Sequence, residues 1–263
     1  MLVTLLTDFG TADYFVGAMK GAVLASNRGA QVVDITHEIP AHDVEAGAFT
    51  LSAAFEAFPA GTVHVAVVDP GVGSSRRAVA VKTPGHTFVG PDNGVFGYVY
   101  ERVEEFGVYH LTNENYFRKD VSATFHGRDV FAPVAGALSR GVALEELGPR
   151  VEDFVRLPFA RPERRPDGTL AGRVIHVDRF GNCITNFTPR DIQSEAFERG
   201  LRLKVGEFEV KRLRRFFAEE SGAGVEAFAI WGSAGLLEIA VFRDSAARRL
   251  GVVRGRPVEV IAS

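Results

Sequence analysis

Short apolar runs alternate with amphipathic stretches through the first 140 residues of the chain. Strands are predicted for three apolar runs, at 2–6, 31–35 and 62–68, of which the first and the third have the composition of buried strands. Amphipathic helices are predicted for 15–24 and 44–57, with Asp13 and Asp43 before them as N-caps. Strands that alternate with helices in this way predict an α/β fold built on a mostly parallel sheet with flanking helices.

The pattern then continues with a hairpin and two further helices. Residues 78–82 and 87–89 are strand-like and are separated by a Pro-Gly turn. Another strand is predicted at 108–111, and helices are predicted near 95–103 and over 130–139. These elements extend the amino-terminal sheet.

The pattern changes after a segment that holds three prolines and several charges. Beyond it, short strands are predicted at 171–177, 183–187, 200–205, 207–211, 226–231, 236–241 and 256–261. Such close spacing of strands predicts a small carboxy-terminal β-barrel or sandwich domain. We therefore expect an amino-terminal domain over 1–158, a linker over 159–170 and a carboxy-terminal domain over 171–263.

Composition excludes several classes of protein. The chain has 263 residues and a net charge of -3, which gives no general attraction to nucleic acid or to an anionic membrane. Its single cysteine, Cys183, excludes an internal disulfide and a cysteine-rich zinc site. The apolar amino terminus reaches Asp8 too soon for a signal peptide, and no run approaches the length of a membrane span. We therefore expect a cytoplasmic protein.

Candidate chemistry lies where the predicted strands end. Asp8 follows the first strand, and Asp69 follows the strand at 62–68. Asp69 opens the segment DPGVGSSRR, in which two glycines permit a tight turn before Arg76 and Arg77. α/β sheets bind ligands at this edge, although a surface turn with two solvated arginines explains this segment equally well.

Other motifs add little individually. P-loop, HExxH, GxSxG and EF-hand patterns do not occur, and GVGSSR lacks the third glycine of the dinucleotide fingerprint. His37 and His42 lie close together but have no clear third metal ligand. His126 precedes a predicted helix, which suits a site residue and a capping residue alike.

Five segments together are more informative: TDFGTAD (7–13), DPGVGSSRR (69–77), FHGRD (125–129), DRFGNCITN (178–186) and WGSAGLLEIAV (231–241). In this order they resemble the S-adenosyl-L-methionine (SAM) hydroxide adenosyltransferases, or adenosine-forming SAM hydrolases, which are relatives of fluorinase and chlorinase. The resemblance covers essentially the whole chain. It implies an α/β domain, a carboxy-terminal β-barrel and a homotrimer with sites between subunits.

The resemblance also implies a reaction. Water or hydroxide would displace methionine from the ribose 5′ carbon of SAM, giving adenosine and L-methionine. The family's water-handling residues correspond to Asp69, Arg76 and His126. Methionine is a good neutral leaving group, so an aligned nucleophile in a dry site suffices, and no metal or cofactor is expected.

Further residues are implied to bind the substrate. Asp8 would hold the ribose hydroxyls, and Asp178 and Ser233 would hold the methionine ammonium and carboxylate. The adenosyl group would contact Phe180, Asn182, Phe217 and the Val241 backbone. Core packing is the alternative role for both phenylalanines, and Phe216 could replace Phe217.

Two rival functions stay open at this point. The first is a SAM-dependent halide transferase, but the family's halide-pocket positions correspond here to Asp69, Val72 and Gly127, and a carboxylate repels an anion. The second is a non-catalytic module that binds adenosine or SAM. Binding alone would not need the water site formed by Asp69, Arg76 and His126.

Overall fold

The computed structural model describes residues 1–219 and 226–261. The chain divides into two compact units, Met1–Phe159 and Ala160–Ser263. Residues 163 and 164, in the predicted linker, form a strand that pairs within the second unit. In the part of the chain that the structure describes, no helix is long and apolar enough to cross a membrane.

The amino-terminal unit combines one sheet with helices on both faces. Its strands are β1 (Leu2–Thr7), β2 (Gln31–Thr36), β3 (Val63–Val67), β4 (Ala78–Lys82), β5 (Thr87–Pro91), β6 (Gly107–His110) and β7 (Arg150–Val151). Its helices are α1 (Phe15–Ser26), α2 (Val44–Ala54), α3 (Gly97–Tyr100), α4 (Ala132–Leu138) and α5 (Leu144–Leu147). Short 3₁₀ turns occur at Phe55–Ala57 and Glu114–Tyr116, and a π-helical turn occurs at Gly127–Phe131.

The sheet has the strand order β2-β1-β3-β5-β4-β6-β7. Strands β2, β1, β3 and β5 pair in parallel, whereas β4, β6 and β7 pair with their neighbours in antiparallel fashion. The predicted α/β class is therefore confirmed, with parallel pairing confined to the half of the sheet that carries β1 and β3. This half places Asp8 and Asp69 at one edge.

Alternation along β1 explains the two layers of helices. Val3 and Leu5 pack with α1 and α4 on one face of the sheet, and Leu6 packs with α2 and α3 on the other. Asp43 caps α2 as predicted, since its Oδ1 accepts from Ala46 N at 3.0 Å. The prediction for Asp13 is wrong: α1 begins at Phe15, and its N-cap makes no side-chain hydrogen bond.

The carboxy-terminal unit is rich in β-structure. Its strands are β8 (Glu163–Arg164), β9 (Leu170–Val177), β10 (Cys183–Thr185), β11 (Arg202–Val205), β12 (Phe208–Val210), β13 (Leu213–Arg214), β14 (Ala227–Trp231), β15 (Leu237–Val241) and β16 (Pro257–Ile261). Its short helices are α6 (Glu195–Glu198) and α7 (Ala246–Leu250). The strand order is β12-β11-β16-β9-β10-β15-β14-β13, with β8 beside β9.

This sheet curls around a main apolar core. Val174, Leu203, Leu237 and Val258, from four of its strands, are fully buried together. Cys183 lies in the same core, and burial raises the pKa of its thiol to about 11, with Asp178 acting in the same direction. The predicted β-rich carboxy-terminal region is confirmed, and its closure into a barrel stays a prediction.

Candidate active site

Asp69, Arg76 and His126 form one hydrogen-bonded cluster in the amino-terminal unit. Arg76 Nε donates to Asp69 Oδ1 at 2.9 Å, and Arg76 Nη2 donates to Asp69 Oδ2 at 2.5 Å. The same Nη2 lies 2.8 Å from His126 Nδ1. The Asp69 and Arg76 side chains are only 5% and 10% exposed, and the guanidinium also lies over the Phe131 ring. Three residues predicted from two separate motifs, DPGVGSSRR and FHGRD, therefore meet.

The contact with arginine fixes the state of His126. A guanidinium can only donate hydrogen bonds, so His126 Nδ1 must be the acceptor. In the neutral ring the proton then lies on Nε2. Burial lowers the pKa of His126 below its usual value, and the positive charge of Arg76 lowers it further. The cluster thus presents one carboxylate, one cation and one neutral imidazole.

Packing between two loops brings Arg76 and His126 together. Gly73 has φ +78°, and a Cβ at this position would lie 2.3 Å from Ala123 O. The loop before His126 is held by Asp129, which accepts from Ser122 N at 2.9 Å and from Arg128 Nε at 2.7 Å. Burial raises the pKa of Asp129, but these hydrogen bonds outweigh it and leave the pKa below its usual value. His126 itself enters the π-helical turn, a feature common at functional sites.

Arg77 has a separate, structural role. Its Nε donates to Asp92 Oδ2 at 3.0 Å, and its Nη1 donates to Asp153 Oδ1 at 2.8 Å. Of the two adjacent arginines in the motif, only Arg76 joins the cluster.

Asp8 and Asp69 leave the sheet at the same edge. Thr7 pairs with Val67 in the parallel register of β1 and β3, so the two acids follow neighbouring strand ends. Asp8 Oδ2 accepts from His42 N at 2.8 Å. His42 has φ +66°, a conformation that non-glycine residues seldom adopt and that is found at functional sites.

The carboxy-terminal unit has a cavity of about 900 Å³. Its lining includes five of the predicted ligand contacts, Asp178, Phe180, Asn182, Phe217 and Val241. Asp178 closes the turn at its rim, because its Oδ1 accepts from Asn182 N at 2.8 Å and its Oδ2 from Asn182 Nδ2 at 2.9 Å. Phe180 is 78% exposed, so its ring is not packed in the core and is available to contact a ligand.

Phe217 and Ser233 differ in their relation to this cavity. Phe217 lines it and lies 6.2 Å, ring to ring, from Phe228, whereas Phe216 is not among the lining residues. Ser233 is exposed in the turn between β14 and β15, outside the lining that the described residues form. The structure therefore brings together five of the six predicted contacts of this unit.

Glu238 is a carboxylate that the sequence motifs did not single out. It lies on β15 against Gly232, where a Cβ would be 1.8 Å from Glu238 Oε1. Burial raises the pKa of Glu238 to about 7, and the negative charge of Asp178 acts in the same direction. An acidic residue inside a strand pattern was the available signal, but its burial is not visible in sequence.

Both units match one family of known proteins. Residues 3–148 match the SAM hydroxide adenosyltransferase N-terminal domain, and residues 172–259 match the SAM hydroxide adenosyltransferase C-terminal domain. The chain therefore belongs to the SAM hydroxide adenosyltransferase family, as its five segments predict.

Individual relatives agree with this assignment. The chain is 36% identical to a Methanocaldococcus jannaschii protein named (R)-S-adenosyl-L-methionine hydrolase, over 99% of this chain and 95% of the relative. A Thermus thermophilus protein of the same name is 40% identical, over 98% of this chain and 99% of the relative. A fluorinase from an Actinoplanes species is more distant, at 26% identity over 73% of each chain. The crystal structure of an uncharacterized conserved protein from Thermotoga maritima superposes with a TM-score of 0.90 at 36% identity, covering 99% of both chains.

Proposed function

We propose that this protein hydrolyses SAM to adenosine and L-methionine. The observation that carries the proposal is the hydrogen-bonded cluster of Asp69, Arg76 and His126. The hydrolase names of relatives that align with the chain from end to end support the same reaction. Those names specify the (R) form of SAM, so we propose this epimer at sulfur as the preferred substrate.

The proton positions suggest how water is activated. His126 Nε2–H can donate a hydrogen bond to the water oxygen. The carboxylate of Asp69 is then the group that accepts a hydrogen bond from the water. Arg76 favours hydroxide character by its charge. We propose that Asp69, and not His126, takes the proton as the oxygen attacks.

The reaction balances without an acid catalyst. A bond forms between the water oxygen and the ribose 5′ carbon as the bond from that carbon to sulfur breaks. The electron pair goes to sulfur, which leaves as the neutral thioether of methionine, and the proton passes through Asp69 to solvent. The residues therefore serve mainly to align water and exclude competing solvent.

Substrate contacts are proposed for both units. Asp8 would hold the ribose hydroxyls, Asp178 and Ser233 the amino-acid end, and Phe217 and Val241 the adenine. Phe180 and Asn182 would border the adenosyl group. We also propose a homotrimer in which the amino-terminal unit of one subunit and the carboxy-terminal unit of a neighbour complete each site.

The two rival functions have less support. The Asp69 carboxylate lies at the proposed nucleophile position, where it disfavours a halide. A binding module would not need a neutral imidazole and a carboxylate joined by one arginine.

Chromatography of products tests the proposal. Purified protein incubated with the (R) epimer of SAM should release adenosine and methionine in equal amounts, and it should cleave the (S) epimer more slowly. Asp69→Asn keeps the shape of the side chain but removes the proton acceptor, so its rate should fall by about 10² to 10⁴. Intact SAM after incubation with the parent protein would contradict the proposed activity, and an Asp69→Asn variant at the parent rate would contradict the role of Asp69.

A further inference from the structure

A buried histidine, His37, contacts the residue that precedes Asp8. Thr7 is the last residue of β1, and its Oγ1 lies 2.9 Å from His37 Nδ1. Both side chains are buried: Thr7 is 0% exposed and His37 is 4% exposed. Because His37 follows the neighbouring strand β2, this contact joins two strand ends at the edge of the sheet that carries Asp8.

The hydrogens in this contact have a defined direction. His37 Nε2 lies 3.0 Å from Asp34 Oδ1, and Asp34 Oδ2 accepts from Lys20 Nζ at 2.7 Å. The Nε2 contact lacks hydrogen-bond alignment, but the negative oxygen still favours the proton on Nε2. When the ring is neutral with its proton on Nε2, Nδ1 accepts and the Thr7 hydroxyl donates to His37.

The same hydroxyl extends this series of hydrogen bonds towards Asp8. Thr7 Oγ1 accepts from Phe9 N at 3.2 Å, and Phe9 is the residue after Asp8. The His37 carbonyl accepts from Gly10 N at 2.8 Å, so His37 binds both sides of the turn. With His42 N on Asp8 Oδ2 at 2.8 Å, the loop at 37–42 fixes the Asp8 backbone and its carboxylate.

We propose that Thr7 and His37 are positioning residues for Asp8 and set how strongly the protein distinguishes ribose from 2′-deoxyribose. The inference rests on the proposed function, in which Asp8 holds the ribose hydroxyls. A carboxylate binds two hydroxyl groups at once only when its orientation is fixed, and buried supporting contacts provide that orientation. Loosening the turn should therefore cost affinity specifically for the hydroxyl-bearing sugar.

Calorimetric titration with adenosine and 2′-deoxyadenosine measures this property without turnover. Thr7→Val removes the hydroxyl at nearly constant volume and should lower the preference for adenosine about tenfold, the value of one hydrogen bond. Thr7→Ser keeps the hydroxyl and should keep most of the preference. His37→Leu should behave like Thr7→Val, and His37→Asn, which keeps a polar atom near Nδ1, should restore part of the preference.

Thr4→Val is the matched control. Thr4 lies on the same strand, is equally buried, and makes the same kind of contact, with Oγ1 2.7 Å from His64 Nδ1, but it does not adjoin Asp8. Thr4→Val should lower stability about as much as Thr7→Val and leave the preference for adenosine at the parent value. A parent-like preference in Thr7→Val, or an equal loss in Thr4→Val, would overturn the inference.

Asp8→Ala separates this inference from the proposed function. It should abolish most of the preference for adenosine, and an unchanged preference would remove the basis of the inference. Failure of the parent protein to cleave SAM would refute the proposed reaction but leave the measured preference, and its dependence on Thr7, as support for the positioning role.

Discussion

Arg76 Nη2 donates to His126 Nδ1 at 2.8 Å, so the catalytic candidate His126 has a cation as its direct neighbour. A second proton on the ring would remove the acceptor and place two positive charges in contact. This relationship keeps the imidazole neutral at physiological pH.

His126 should therefore titrate below the ordinary histidine pKa of about 6.5. Burial and Arg76 both lower its pKa, so replacing Arg76 by glutamine should move the titration upwards. NMR titration of the ring signals, assigned with a His126→Gln variant, measures both values. A parent pKa at or above 6.5 would contradict the neutral imidazole on which the proposed proton transfer depends.

The buried His64 should make the protein sensitive to acid. Burial lowers the pKa of His64 to about 3, and the charge of its neighbour His86 acts in the same direction. The unfolded chain binds a proton near pH 6.5 and the folded chain does not, so stability is lost as pH falls from 6.5 towards 3. At pH 4 the loss is about 3 kcal/mol.

Denaturant unfolding between pH 4 and pH 7 measures this loss. His64 contacts Thr4 and His86, so a His64→Leu variant should be less stable at pH 7 but should show a shallower dependence on pH. Parallel curves for parent and variant would contradict the assignment to His64.

Glu238 should act in the opposite direction. Its pKa is raised to about 7 by burial and by Asp178, so the folded protein holds a proton that the unfolded chain releases near pH 4.5. Stability associated with this group is present at low pH and falls as pH rises from 4.5 to 7. Glu238→Gln should be more stable than the parent by about 3 kcal/mol at pH 8 and about equal to it at pH 4.

Denaturation midpoints of the parent protein and of Glu238→Gln, measured at pH 4 and at pH 8, test this prediction. On the same sheet face, His176 and Arg214 lie two strands from Glu238 on either side, and both are unchanged in the variant. A variant that loses stability equally at both pH values would contradict the raised pKa of Glu238.

Chloride should not replace water as the nucleophile. Asp69 carries negative charge at the proposed nucleophile position, and Gly127 has no hydroxyl to offer. A Cβ at Gly127 would lie 3.1 Å from Met19 Sδ and 3.3 Å from Phe125 Cε2, so Gly127→Ser should cost about 1 kcal/mol. Chromatography of parent and variant, incubated with SAM and excess chloride, should give adenosine as the nucleoside product, and 5′-chloro-5′-deoxyadenosine as the main product would contradict the hydrolase assignment.

Assembly can be tested in the same preparations. If each site needs residues from two subunits, a closed ring is expected, and light scattering should give three times the chain mass of 28.5 kDa. Active protein with the mass of a monomer would refute the shared site. The Asp69→Asn variant should have the same light-scattering mass as the parent assembly.

Much of the amino-terminal fold could be predicted because its strands are short, continuous and bounded by strong turn residues. The residues at 2–6 and 62–68 are apolar on both faces, which indicates central strands, and Asp8 and Asp69 follow them directly. The share of antiparallel pairing could not be predicted, because β6 and β7 carry no signal of direction. The predicted helix at 95–103 is a single turn, Gly97–Tyr100.

The candidate site was predictable only in part. Acids at strand ends and the glycines around Asp69 are local signals, and the resemblance added His126. The support for Asp8 was not predictable, because Thr7 and His37 are thirty residues apart and meet only when β1 and β2 pair. The backbone role of His42 depends on a left-handed conformation that its residue type does not indicate.

The burial of Cys183 has a practical consequence for measuring motion in this protein. It is the only cysteine in the chain, it is 0% exposed, and its thiol stays protonated near neutral pH. Thiolate is the reactive form, so maleimide dyes and spin labels should leave the parent protein unmodified. A cysteine introduced at an exposed position, such as Val121, would then carry the sole label, without first removing a native residue from the core.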